Sequence, residues 1–160
     1  MENDTLIKRL KSDFETIKKE HTIKISFEDL DKEFYLINTI LSEGYVPVKL
    51  TEFISKQACN TMISWNNYLH SLCMPNPQSM ISITENQMIT EEMRGKIIKL
   101  MTHIMAHTAE NNIMILESNS KKRAAYIDAS YQLWISNFKP QMMEIMQLLQ
   151  KGWVERLNAD

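Results

Sequence analysis

The sequence predicts an all-α fold, one helical bundle of five to six helices with the last one kinked or broken at Pro140. Three observations carry this. Only 3 Gly and 4 Pro punctuate 160 residues, too few φ > 0 positions for a chain rich in tight turns and sheets. Apolar residues recur three and four apart along most of the chain, the spacing of a helix face. Hydrophobic residues make up 44 % and the formal net charge is −2, a globular composition on a chain long enough for one domain with a real core. No repeat or linker divides residues 1–160, so a single domain is expected.

The first helix places Ile7, Leu10, Phe14 and Ile17 on one stripe after Asn3 or Asp4 as N-cap. The alternating residues 21–25 suit a short extended connector. Ser26-Phe27-Glu28-Asp29 has the pattern of a capping box, and Leu30, Phe34, Ile37 and Leu41 continue as the next stripe up to Gly44, placed as a C′ residue. A third helix starts near Thr51. Its stripe is Ile54, Ala58, Thr61, Trp65, Tyr68 and Leu72, with Cys59, Ile63, Asn66, His70 and Cys73 on the other side. Pro75 and Pro77 end it, and residues 75–89 read as an apolar loop. Thr90-Glu91-Glu92 opens a fourth helix with acid in its first turn, and Met93, Ile97, Leu100, Met101, Ile104 and Met105 form its core face to about Glu117. Ser120 caps a fifth, whose stripe Ala124, Ile127, Tyr131, Trp134 and Phe138 continues in phase as Met142, Ile145 and Leu149 past Pro140. Gly152 loosens the end, so a C-terminal tail is expected from about 152.

Charge is distributed unevenly. From Gln57 to Thr84 there is no Asp, Glu, Lys or Arg, although 24 % of the chain is charged. A membrane span is a poor explanation, because the run contains Asn60, Asn66, Asn67, His70 and Asn76 and no stretch reaches about 18 apolar residues. Gln57–Met74 instead reads as the bundle's middle helix. Pro75–Thr84 is expected to be covered by a neighbouring helix, a second copy or a partner. Cys59 and Cys73 on one helix would lie about 21 Å apart, too far for a disulfide. Free thiols, and a charged N-terminal segment without a secretory apolar core, point to the cytoplasm.

The strongest constellation for chemistry is His103 and His107, one helical turn apart, with Glu110 three residues further. Imidazoles at that spacing can bind Zn or Fe, with His70 of the third helix completing the ligand set. Such a site is similar to those of the helical-bundle hydrolases and thiol transferases of the DinB kind, a likeness confined to the spaced histidines. It implies a metal-dependent helical-bundle enzyme or ligand sensor. Against it, these positions border the core stripe, where His packs its ring against apolar neighbours. The sequence contains no HExxH motif, no Glu-x-x-His motif and no glycine-rich phosphate loop. Basic clusters at Lys8-Arg9-Lys11, Lys18-Lys19 and Lys121-Lys122-Arg123 read as solvated helix ends. The helix-turn-helix-like residues 50–69 lack the cations that phosphate contacts need, so nucleic acid is not an expected partner.

The sequence therefore points to a non-enzymatic protein–protein interaction module of the adaptor, inhibitor, immunity or effector type, without cofactor. Its partner would be another protein or a second copy. The expected docking residues are Trp65, Tyr68, Met74, Met80, Ile81, Ile83 and Met88, because Met and aromatic side chains without charge make up interface cores.

Overall fold

A computed structural model describes residues 2–159 of the chain. Its elements are α1 (Glu2–His21), α2 (Phe27–Phe34), α3 (Leu36–Glu43), α4 (Leu50–Cys73), α5 (Met80–Met88), α6 (Glu91–Glu117), α7 (Ser120–Leu133), a π-helical turn (Trp134–Phe138) and α8 (Lys139–Leu157). Helix is the only regular secondary structure among the described residues, and no helix there is long and apolar enough to cross a membrane. The helices outnumber the five to six expected, for two reasons.

The first is Tyr35, which adopts the left-handed conformation (φ 55, ψ 43) and divides the expected second helix. Asp31 works on both sides of this break. Its carbonyl accepts from the Tyr35 N–H at 2.8 Å, ending α2, and its carboxylate accepts from the Ile37 N–H at 2.7 Å, capping the start of α3. Left-handed backbone costs a side-chain-bearing residue on the order of 1 kcal/mol, which these two bonds offset. The break also shifts the apolar face. Leu30 and Phe34 are buried as their spacing predicts, but beyond Tyr35 the buried residues are Leu36 and Ile40, while Ile37 and Leu41 are half-buried.

The second is α5, which occupies most of the expected loop 75–89. Ser79 caps it, its side chain accepting from the Ser82 N–H at 3.2 Å. None of its residues is buried, so its apolar side chains never mark a single inward face, and no helical period shows in the sequence.

The C-terminal residues also depart from expectation. Instead of a tail from about 152, α8 continues to Leu157. A Cβ at Gly152 would stand 2.6 Å from the Met88 sulfur, so the glycine permits the close approach of α8 to α5. Around Pro140 the chain stays helical throughout. Proline removes one donor and its ring crowds the carbonyl four residues back. Here the turn before it is widened, with the Lys139 N–H bonding to the Trp134 carbonyl five residues earlier. Trp134, Phe138 and Met142 are all buried at steps of four. An α-helix would rotate such a series about 40° off its face per step; the wider turn absorbs part of that drift.

Several local signals act as read. Ser26 caps α2 by accepting from the Asp29 N–H at 3.1 Å. Thr90 does the same for Met93 at the start of α6, and Gly44 closes α3 at φ 79. Residues 22–26 form a non-helical connector, held where Asp128 accepts the Lys24 and Ile25 N–H groups at 3.0 to 3.2 Å.

Contacts divide the chain into two compact units. The first comprises Met1–Thr61 and His107–Gln132. Its core includes Leu10 and Phe14 of α1, Leu30 and Phe34 of α2, Leu36 and Ile40 of α3, Ile54 and Ala58 of α4, and Ala124 and Ile127 of α7. The Phe14 and Phe27 rings meet edge to face at 5.5 Å. The second unit comprises Met62–Ala106 and Leu133–Asp160. Its core includes Met62, Leu69 and Leu72 of α4, Ile97, Leu100 and Ile104 of α6, and Trp134, Phe138, Met142, Ile145 and Leu149. Along α4 the buried residues Met62, Asn66 and Leu69 replace the expected Thr61, Trp65 and Tyr68, which are half-buried. On α6, Met105 is 52 % exposed rather than core. Both helices carry apolar groups on more than one side, so spacing alone does not choose the inward one.

Candidate functional site

The charge-free run ends in the second unit as a hydrogen-bonded corner. Asn86 of α5 donates to the Leu72 carbonyl at 2.6 Å, and Arg94 of α6 donates to the Cys73 carbonyl at 3.1 Å, satisfying the last turn of α4. The Asn76 side chain accepts from the Gln78 N–H, and its own N–H bonds to the Ser82 hydroxyl. These bonds hold residues 73–82 in one geometry. On that corner Met74, Met80 and Ile81 stand 68 %, 76 % and 65 % exposed.

The other residues expected there have a different placement. Trp65, Tyr68, Ile83 and Met88 are half-buried. Trp65 and Tyr68 pack edge to face at 6.3 Å. The Tyr68 hydroxyl donates to Glu85 at 2.9 Å, and the Trp153 indole donates to the other oxygen of the same carboxylate at 3.1 Å. Glu85 thereby ties α4 and α8 to α5, and burial together with this carboxylate pushes the Tyr68 phenol well above its ordinary range. Tyr68 supports the corner rather than presenting a free face. The sequence could not show this, because Tyr68, Glu85 and Trp153 have no spacing relation to one another.

The histidines are not gathered. His70 and His103 are exposed, whereas His107 is buried. Among the described residues no three His, Cys, Asp or Glu side chains come together in a way that could hold a metal ion. His107 belongs instead to a polar cluster of the first unit. Its ring stacks on Tyr126 at 4.2 Å and 12°, and its Nε2 lies 2.8 Å from the Ser130 hydroxyl. Its Nδ1 is 3.9 Å from a Glu110 carboxylate oxygen, beyond hydrogen-bond length. Burial lowers the His107 pKa from 6.5 to about 4, so at pH 7 the ring is neutral and the Glu110 contact is no ion pair. The Tyr126 hydroxyl donates to the His107 carbonyl at 2.7 Å. Its only proton is thus committed, and the Cys59 thiol, 3.0 Å away, is the donor to it.

Ser130, His107 and Glu110 are the residue types of a hydrolytic triad, but Ser130 is 0 % exposed. Burial also raises the Cys59 thiol and the Tyr126 phenol, leaving neither a ready nucleophile. The cluster satisfies polar groups inside a core and offers no reacting atom to a substrate. Of its members only His107 is conspicuous in the sequence, since Cys59 and Tyr126 are 67 residues apart.

Comparison with known proteins found no matching protein family, no matching curated protein and no matching solved structure.

Proposed function

We infer that the chain is a non-enzymatic protein–protein interaction module of the adaptor, inhibitor, immunity or effector type. It binds a protein partner or a second copy through the apolar corner of the second unit. The observation that carries this reading is the exposure of Met74, Met80 and Ile81 at the end of the charge-free run. Scattered exposed hydrophobics are ordinary, but three large ones within eight residues, with no charge among them, make an apolar patch of the kind that partners cover. Methionine re-packs cheaply against a partner's surface. The corner beneath it is hydrogen-bonded, so little backbone ordering is lost on docking. Trp65 and Ile83, half-buried within the run, belong to the same uncharged chemistry.

The test is a paired substitution, Met80→Glu with Ile81→Glu. Both side chains are exposed, so circular dichroism should be unchanged. Light scattering on the eluting wild-type protein should find a dimer, or affinity capture should find a stable partner, and the double variant should lose whichever is found. A wild-type protein that stays strictly monomeric and retains no partner refutes the reading.

A further inference from the structure

The first unit contains a cleft of about 300 Å³ lined by His21, Lys49, Thr51, Ser118, Ser120 and Arg123, with the apolar remainder of its wall coming from α1, the residue at 48 and the first residue of α4. No acidic residue is among those lining it. Two helices begin at its wall, α4 at Leu50 and α7 at Ser120. Each contributes about half a positive charge and first-turn N–H groups, although in α7 those of Lys122 and Arg123 are already taken by the Asn119 side chain and carbonyl.

Arg123 points to a ligand independently. It is 4 % exposed, and its two terminal nitrogens donate to Glu52 at 2.8 Å and to the Met114 carbonyl at 3.1 Å. Its Nε–H, also buried, has no hydrogen-bond acceptor. A buried donor left this way is costly and is uncommon unless an acceptor comes from outside the chain. The same Glu52 oxygen lies 3.9 Å from the Lys49 ammonium. One carboxylate thus serves two cations, and the cleft keeps an excess of positive charge.

We propose that this cleft binds a small phosphate-class oxyanion, either inorganic phosphate or the phosphate group of a small phosphomonoester. Lys49 and Arg123 supply charge. The hydroxyls of Thr51, Ser118 and Ser120, and the remaining N–H groups opening α4 and α7, supply donors from several directions. That spread suits a tetrahedral oxyanion with many acceptor positions better than a planar carboxylate. The volume is at the small end for ligand sites, which favours a small molecule over a phosphorylated chain.

Isothermal titration of the full chain at pH 7.5 and fixed ionic strength tests this, with inorganic phosphate, glycerol 3-phosphate and acetate as probes. Saturable binding of phosphate or of glycerol 3-phosphate is expected, with acetate much weaker. Tighter binding of glycerol 3-phosphate identifies a phosphomonoester, and equal binding identifies the free ion; both support the site. Lys49→Ala should weaken the phosphate Kd about tenfold, the worth of one charge-assisted hydrogen bond. The Lys49 side chain is 77 % exposed, so the fold should survive, with circular dichroism as the check. Lys151→Ala, in the other unit, should leave binding unchanged. Absence of saturable binding to both phosphate probes, acetate binding as well as phosphate, or an unchanged Kd in Lys49→Ala would each overturn the proposal, whatever the fate of the apolar corner.

Discussion

Lowering the pH should destabilise this protein through His107. In the folded chain burial holds its pKa at about 4, against an ordinary value of 6.5. The unfolded chain therefore takes up a proton first as pH falls. Stability from the neutral, buried ring is fully present above pH 6.5 and drains away on acidification until the folded state also protonates near pH 4. Each pH unit between those values is worth about 1.4 kcal/mol, so the whole interval amounts to about 3 kcal/mol, a large share of a typical domain's stability. Glu110 would oppose the effect by favouring the imidazolium, but its side chain is 65 % exposed and 3.9 Å away, where solvent screens it. Urea unfolding of wild type and His107→Gln, measured in half-unit steps from pH 7.5 to 4.5, isolates this contribution, since other titrating groups are common to both proteins. The wild-type curve should fall more steeply than the variant's by up to about 1.4 kcal/mol per pH unit. Parallel curves, or a His107 titration midpoint near 6.5 by nuclear magnetic resonance, would refute the reasoning.

Tyr126→Phe keeps the stack on His107 but removes the acceptor for the Cys59 thiol and the donor to the His107 carbonyl. It should destabilise by about 1–3 kcal/mol in urea unfolding, the cost of buried groups left unpaired. Ser26→Ala removes the α2 cap and should cost about 1 kcal/mol by the same assay. A thiol reagent should modify Cys73, which is partly exposed, while Cys59, buried, stays silent until the chain unfolds. Simultaneous modification of both under native conditions would contradict the buried cluster.

The helix ends were the most legible features of the sequence. Ser26, Gly44, Thr90 and the Pro75–Pro77 pair act through groups within four residues of one another, so residue type and spacing suffice to place them. The free cysteines follow from helix rise alone. The surroundings of the proposed docking residues were legible only in part. Lack of charge marked a run that ends with Met74, Met80 and Ile81 exposed, but it could not separate exposed Met80 from Tyr68, whose hydroxyl is occupied by Glu85. The spacing of His103 and His107 suggested a shared ligand set, yet one ring is exposed and the other is stacked on Tyr126. The arginine cleft was missed for the same reason, because its lining comes from three separate stretches of chain.

Residue type and local spacing establish that this chain is helical, where several of its helices begin, and which run of it lacks charge. Those properties arise from φ/ψ preference, local capping and composition, each complete within a turn or two. Tertiary structure alone decided that Leu36 rather than Ile37 faces inward, that His107 is buried and neutral, and that Asp128 holds a backbone 104 residues away. Apolar spacing records which residues share a helix face. Which face is kept dry, and which polar atom finds a partner, depends on what the rest of the chain brings alongside.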